Sequence, residues 1–297
     1  MTMPKASPFV KWAGGKRQLL DDLVRCLPQD FADRPVYVEP FIGGGALLLH
    51  LLQNYPTIEK AVICEINPAL MVAWRCVQSK VEDLITLLEA KQSAYLPLDD
   101  DGRKRFYLRE RYAFNKALAG ENPDPLRVAA GLLFLNRTCF NGLYRVNSQG
   151  EFNVPHGRYK NPRILDAENL RSVSTLLRRV EVVFGDFELS LQLAGDLSRT
   201  FWYFDPPYKP VSQSASFTSY TAGGFCDAEQ ERLAAFCRKL DAGGAKFLLS
   251  NSDPQGEEAG FFDRLYRGFS IKRVRATRAI NSDPRGRGAT SEIIVSN

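Results

Sequence analysis

Four aromatic residues in succession, Phe201-Trp202-Tyr203-Phe204, run directly into Asp205-Pro206-Pro207-Tyr208, and this junction constrains the fold more than any other stretch. An uninterrupted apolar run with abrupt ends reads as a buried strand. Proline has no N–H to give a sheet ladder and keeps the residue before it extended, so the strand stops at Asp205 and the following residues form a preset loop. That loop presents the Asp205 carboxylate, the Pro206 carbonyl and the flat ring of Tyr208 in one place. Two acceptors beside an aromatic plane suit a nucleobase that is stacked while its exocyclic amino group is held by hydrogen bonds. A plain strand and proline turn would have the same local pattern, so the rest of the chain must decide.

Upstream, Val36-Tyr37-Val38 reads as a short buried strand, Glu39-Pro40-Phe41-Ile42-Gly43-Gly44-Gly45 as a glycine loop, and Ala46 to Leu52 as an apolar helix. Gly43 and Gly45 let the backbone bend tightly and approach a ligand at the carboxyl edge of a parallel sheet. A second strand, Ala61 to Cys64, ends at Glu65, about twenty residues beyond the glycines, where a carboxylate takes ribose hydroxyls. A nucleoside-containing cofactor follows, although the third glycine of a dinucleotide fingerprint is replaced by Leu48. Gly14-Gly15-Lys16-Arg17 is not a phosphate-binding Walker loop, because no Ser or Thr follows the lysine. The segment Lys11-Trp12-Ala13-Gly14-Gly15-Lys16 is expected to close over a ligand.

Asn67-Pro68 is a helix start, with apolar residues recurring from Leu70 through Trp74, Val77, Val81 and Leu84 to Leu88, which predicts one long amphipathic helix. Arg103 to Asn115 reads as a solvated helix face. A second apolar helix, about Leu126 to Leu135, leads into Asn136 to Asn147 and then Phe152 to Lys160, a basic and aromatic block rich in Asn and Gly. Here Arg137, Arg145 and Lys160 supply positive charge, Asn141, Asn147 and Asn153 supply amides, and Phe140 is an aromatic suited to wedging between base steps. Val180 to Phe184 reads as a further buried strand ending at Gly185-Asp186-Phe187, with Asp186 and Phe187 beside the cofactor's base. Ala245 to Asn251 is another strand. Ile271 to Thr277 and Glu292 to Ser296 close the sheet as a hairpin around the basic loop from Asp283 to Gly288.

The six cysteines are widely spaced without a Cys-x-x-Cys pair, and only His50 and His156 accompany them, so buried thiols are expected rather than a metal or disulfide framework. No signal peptide and no membrane-spanning run is evident, which predicts a cytoplasmic protein. The net charge of +5 permits a polyanionic partner without requiring one.

Together these pieces resemble the bacterial DNA adenine-N6 methyltransferases of the Dam type, which methylate GATC. The resemblance covers nearly the whole chain and rests on four motifs in a fixed order: Lys11 to Lys16, Glu39-Pro40-Phe41 with the glycines, Leu135 to Lys160, and Asp205 to Tyr208; Ser250-Asn251 follows. It implies an α/β fold, a Rossmann-like S-adenosylmethionine-dependent methyltransferase sheet with a largely helical target-recognition insertion. On that basis residues 1–67 and 166–297 form the core and 68–165 the insertion. Trp12, Lys16, Glu65 and Asp205 match positions that bind S-adenosylmethionine, with Phe41, Asp186 and Phe187 nearby. Phe140, Asn141, Leu143, Arg145, Pro155 and Tyr159 match residues used on the GATC site of double-stranded DNA, and Lys11 matches a lysine that reaches a guanine. Phe140 replaces a Tyr and Glu65 an Asp of close relatives, each keeping the chemistry, whereas the loop from Asp283 to Thr290 departs more. The protein is expected to be a monomer that needs no metal.

Catalysis on this reading assigns Asp205, the Pro206 carbonyl and Tyr208 to holding a flipped adenine. No catalytic cysteine is required, in keeping with the absence of any Pro-Cys dipeptide. Three alternatives stand beside it. A methyltransferase acting on cytosine N4 or on RNA shares the loop. A DNA-binding protein without turnover shares the fold. A nicotinamide dehydrogenase explains the glycines and Glu65 but neither the Asp205 loop nor the basic block.

Overall fold

A computed structural model describes residues 5–12, 14, 16, 18–209, 225–254, 258–277 and 289–297. The loop from Asp283 to Gly288 lies outside the described residues. Seven strands are found among them: β1 (Val36–Pro40), β2 (Lys60–Glu65), β3 (Val180–Phe184), β4 (Thr200–Phe204), β5 (Lys246–Ser252), β6 (Ser270–Thr277) and β7 (Ala289–Ser296). The chain folds into two interleaved units, each assembled from three stretches.

The first unit comprises residues 1–15, 43–54 and 65–185, so that 68–165 lies wholly within it together with β3. It is mainly helical. Helix Pro125–Thr138 is its centre, with Val128 to Leu135 buried throughout and with helices Pro68–Ser79, Val81–Tyr95 and Asp100–Ala119 all packing on it. A helix apolar all round demands such enclosure.

Three expectations need correction here. The single long helix from Asn67 is two, because Lys80 leaves helical geometry at φ −138° and ψ 37°. The spacing of the apolar residues continues across that residue, which is why periodicity alone does not reveal the break. Helix Asp100–Ala119 is not a solvated face throughout, since Phe106, Tyr107 and Phe114 are buried and the half-buried Arg103 and Arg111 donate to backbone carbonyls, while Lys104, Arg105, Arg109 and Lys116 are exposed. Strand β3 is present but not buried as a whole, and Phe184 at its end is 52% exposed. A short apolar run carries no information about which of its faces is covered.

The second unit comprises residues 16–42, 55–64 and 186–297. Within it six strands run in the order β2-β1-β4-β5-β7-β6. The first four are mutually parallel, and β7 is antiparallel to both β5 and β6. The hairpin expected from the sequence is therefore formed, with β7 inserted between β5 and β6. Every residue of β4 is buried, as an aromatic central strand requires. Strand order reverses at β1, and in open parallel sheets the crevice outside the carboxyl ends of such strands is where ligands bind. Asp205 and Phe41 follow directly from the carboxyl ends of β4 and β1.

Among the described residues no helix is long and apolar enough to cross a membrane. Cys64, Cys76, Cys139 and Cys237 are buried, Cys26 half-buried and Cys226 exposed, and all six thiols are free. Burial pushes the Cys139 thiol up to about 12, which removes it from nucleophilic chemistry.

Candidate active site

In the second unit, Asp205 Oδ1 receives the Lys16 ammonium at 2.7 Å and the Ser250 hydroxyl at 3.3 Å. Its Oδ2 has no hydrogen-bond partner among the described residues. Burial raises the proton affinity of the Asp205 carboxyl, Lys16 pulls it back, and the Glu292 charge raises it further, leaving a net upward shift. The Lys16 ammonium also lies 4.3 Å from the centre of the Tyr208 ring. Tyr208 donates its hydroxyl to Glu292 Oε2 at 2.6 Å. Burial, and then the Asp205 and Glu292 charges, keep that phenol protonated.

The loop is braced from beneath. Tyr203 on β4 bonds to the Ser250 hydroxyl at 2.9 Å, Gln230 donates to the Pro207 carbonyl at 3.3 Å, and Lys209 donates its N–H to Asn251 at 3.2 Å. Ser250 and Asn251 thus position the loop from the neighbouring strand. Pro206 is buried, and all described peptide bonds are trans.

At the end of β1, Phe41 takes φ +69°, a left-handed conformation that costs a non-glycine residue about 1 kcal/mol or more. Its ring meets Phe187 and Phe225, each at 5.5 Å between centres. Phe187 is itself buried, so its ring serves packing, while the adjacent Asp186 is more open. Both Asp186 oxygens accept from Arg232, at 2.9 and 2.8 Å, and the Arg232 guanidinium covers the Phe187 ring at 4.3 Å. Burial raises the Asp186 pKa, but the Arg232 bonds outweigh it and hold the carboxyl below its ordinary range.

The first unit holds the glycine loop and the basic block. The Glu65 carboxylate accepts from Gly43 N at 3.3 Å and from Asn67 N at 2.9 Å. Burial pushes its pKa up against those two bonds. Each oxygen keeps a further lone pair, and the residue remains half-exposed, so its acceptors fit the two hydroxyls of a ribose diol. Gly43 at φ +48° and Gly45 at φ +66° need glycine's freedom, and a Cβ at Gly43 would come within 2.8 Å of Trp12 Cδ1. Gly43→Ala is therefore expected to cost about 1–2 kcal/mol and to weaken cofactor binding, checked by denaturant midpoint and by cofactor titration.

In the basic block, the Asn136 side chain clamps Lys11, accepting its N–H and donating to its carbonyl at 2.8 Å each, and also donates to Gly142 O at 3.0 Å. The Lys11 ammonium lies 5.0 Å over the Tyr159 ring. Arg137 donates to Phe9 O at 2.9 Å. Lys11, Arg137, Tyr159, Lys160 and Arg163 line a cleft of about 270 Å³. Phe140, 49% exposed, is held through its N–H by the Pro155 carbonyl at 2.9 Å, and Asn141 follows at φ +54°. Arg145 is exposed and donates Nε to Asn153 Oδ1 at 2.8 Å. Leu143 is half-buried, and Pro155 is exposed. Asn147 is committed locally, accepting from the N–H groups of Gln149 and Glu151 and donating to the Glu151 carboxylate.

The predicted residues thus fall into two sets. Lys16, Phe41, Asp186, Phe187, Asp205, Pro206 and Tyr208 belong to the second unit; Lys11, Trp12, Gly43, Gly45, Glu65 and the basic block belong to the first. Glu292, Arg232 and Asn136 carry structural weight that no local motif announces.

Comparison with known proteins supplies the remaining step. The profile of the D12 class N6 adenine-specific DNA methyltransferases matches residues 12–280. The chain is 47% identical to the Type II methyltransferase M.MjaIII of Methanocaldococcus jannaschii over 93% of each chain. It is 40% identical to the Type II methyltransferase M1.LlaDCHI of Lactococcus lactis subsp. cremoris, over 98% of this chain and 95% of that one. With the DNA adenine methylase of Vibrio cholerae the identity is 33%, over 99% and 96% of the two chains. These matches remove the dehydrogenase, cytosine and RNA alternatives, and make S-adenosylmethionine the methyl donor. The chain, a mixed α/β protein with parallel strands at its centre, belongs to the D12 class N6 adenine-specific DNA methyltransferases.

Proposed function

We propose that the enzyme methylates N6 of a flipped adenine within GATC in double-stranded DNA. The observation that carries the reading is the Asp205 loop, in which a half-buried carboxylate with an open oxygen stands beside a tethered aromatic ring. S-adenosylmethionine supplies an electrophilic methyl group on a sulfonium. An adenine amino nitrogen is a poor nucleophile because its lone pair is delocalised into the ring. Hydrogen bonds from that amino group to Asp205 and to the Pro206 carbonyl draw the lone pair back onto nitrogen, and the Asp205 charge stabilises the positive charge that grows there. Tyr208 stacks on the base after extrusion, which costs a few kcal/mol.

Cofactor contacts are assigned to Trp12, Lys16, Phe41, Gly43, Gly45, Glu65, Asp186 and Asp205, with Phe187 supporting them. DNA contacts are assigned to Lys11, Arg137, Phe140, Asn141, Leu143, Arg145, Asn153, Pro155, Tyr159 and Lys160, with Asn147 shaping the turn. The enzyme acts as a monomer in the cytoplasm, and relatives named Type II methyltransferases support a role beside a restriction endonuclease.

The test is transfer of labelled methyl from S-adenosylmethionine to two matched duplexes, one with GATC and one scrambled, followed by nucleoside analysis. N6-methyladenine in the GATC duplex alone is the expected result; label in both removes the site assignment. Arg145→Ala is expected to relax discrimination at one guanine by about 1–3 kcal/mol, read from kcat/KM on singly substituted sites. An unchanged preference assigns guanine reading elsewhere.

A further inference from the structure

We propose that Glu292 is a positioning residue for methyl transfer, acting through the Tyr208 hydroxyl to hold the ring at the angle on which the extruded adenine stacks. The inference rests on the reading of Tyr208 as the stacking partner. Tyr208 stands on a loop after two prolines, outside any strand, so sheet pairing does not orient its ring. Glu292 stands on β7, where Cα register places it opposite Ser252 on one side and Val274 on the other, so its backbone is held from both neighbours. Its side chain is buried, and the bond from the Tyr208 hydroxyl at 2.6 Å is of the short, charge-assisted kind.

The neighbourhood makes a purely structural role an expensive choice. Glu292 places a second carboxylate close enough to Asp205 to raise that group's proton affinity. An apolar neighbour for a phenylalanine would avoid the repulsion. What the carboxylate provides instead is a rigid anchor that takes the hydroxyl's only proton, which leaves the ring to interact through its faces. Lys16, bonded to Asp205 at 2.7 Å and 4.3 Å from the ring centre, links the same ring to the carboxylate that receives the amino group. Glu292, Tyr208, Lys16 and Asp205 therefore form one connected path from a fixed strand to the reacting nitrogen.

The experiment is a kinetic cycle on the full chain with Glu292→Ala, Glu292→Gln, Tyr208→Phe and the Tyr208→Phe/Glu292→Ala double variant. It is paired with a GATC duplex carrying 2-aminopurine in place of the target adenine, whose fluorescence reports extrusion and stacking. Glu292→Ala and Tyr208→Phe are each expected to lower kcat by about 10- to 100-fold, the worth of one hydrogen bond to a charged acceptor. KM for DNA should move by less than about threefold, and the double variant should match the single ones within about the same factor. Glu292→Gln keeps an acceptor and should recover most of kcat. Both Glu292→Ala and Tyr208→Phe should alter the bound 2-aminopurine signal.

Full kcat in Tyr208→Phe overturns the proposal without any need for a folded Glu292→Ala. So does a further loss when Glu292→Ala is added to Tyr208→Phe, or a Glu292→Gln enzyme as poor as Glu292→Ala. Absence of any 2-aminopurine signal in the unaltered enzyme instead defeats the stacking reading, and the proposal with it. A normal signal there that the variants leave unchanged defeats the positioning role alone.

Discussion

Replacing Asp205 with Ala is expected to lower kcat by about 10³-fold while leaving the fold intact. Removing a preorganised group that meets developing charge costs about 10²–10³ in other enzymes, and on the proposed mechanism the same carboxylate also localises the lone pair. Loss should appear in kcat, since the interaction strengthens as charge grows on nitrogen, with a smaller change in KM for DNA. The check is single-turnover methylation with circular dichroism of the variant beside it, and retained turnover would remove Asp205 from the mechanism. The pH dependence has a defined sign. Burial raises the Asp205 pKa, opposed by Lys16 and reinforced by Glu292, so the acid limb of kcat should lie above the ordinary carboxylate range. Activity then falls as pH drops through the raised value. Stability runs the other way. The folded state binds this proton more tightly than the unfolded chain, so the group's stabilising contribution is full below the unfolded pKa and is lost as pH rises through the folded one.

Arg34→Ala is expected to carry the largest stability cost, about 3–5 kcal/mol, without acting on the chemistry. Arg34 is buried, and its Nη1 donates to the carbonyls of Ser198, Thr200 and Gly244 at 2.8, 3.1 and 3.2 Å. Nε and Nη2 both reach Asp30 Oδ2, at 3.1 and 2.8 Å. Truncation leaves three carbonyls and a carboxylate with their partner gone. Thr200 begins β4 and Asp205 follows its far end, so the damage falls on the sheet edge opposite the reacting groups. A fall in the urea midpoint with kcat preserved for the folded fraction is the expected result. A midpoint change worth less than about 1 kcal/mol would show that water replaces the guanidinium readily.

The parts of this protein that were legible in the sequence are those in which neighbours along the chain meet in space. The aromatic run of β4 announces a buried strand because four consecutive residues are apolar, and two prolines mark its end. The glycine loop and Glu65 are separated by a length that one helix and one strand span. The hairpin of β6 and β7 follows from two short runs rich in β-branched residues on either side of a loop rich in Gly, Pro and Asp. Lys80 was not legible because a single non-helical residue leaves the apolar spacing undisturbed. Glu292 was not legible because its partner Tyr208 is 84 residues away, and a glutamate in a strand otherwise reads as a solvated edge. Arg34 and Arg232 were hidden for the same reason, each being one basic residue among 39 until the fold supplies its acceptors.

The place of β7 has a consequence for the order of folding. Residues 289–296 pair with β5 on one side and β6 on the other, so residues 270–277 have no sheet to join until the later strand has arrived. Non-local pairings of this kind close late, because loop entropy must be spent before any ladder bond repays it. β5 therefore keeps an open edge until residues 289–296 pair with it. The tether for Tyr208 arrives on that same strand, so the loop from Asp205 to Tyr208 acquires its anchor in the step that seals the sheet.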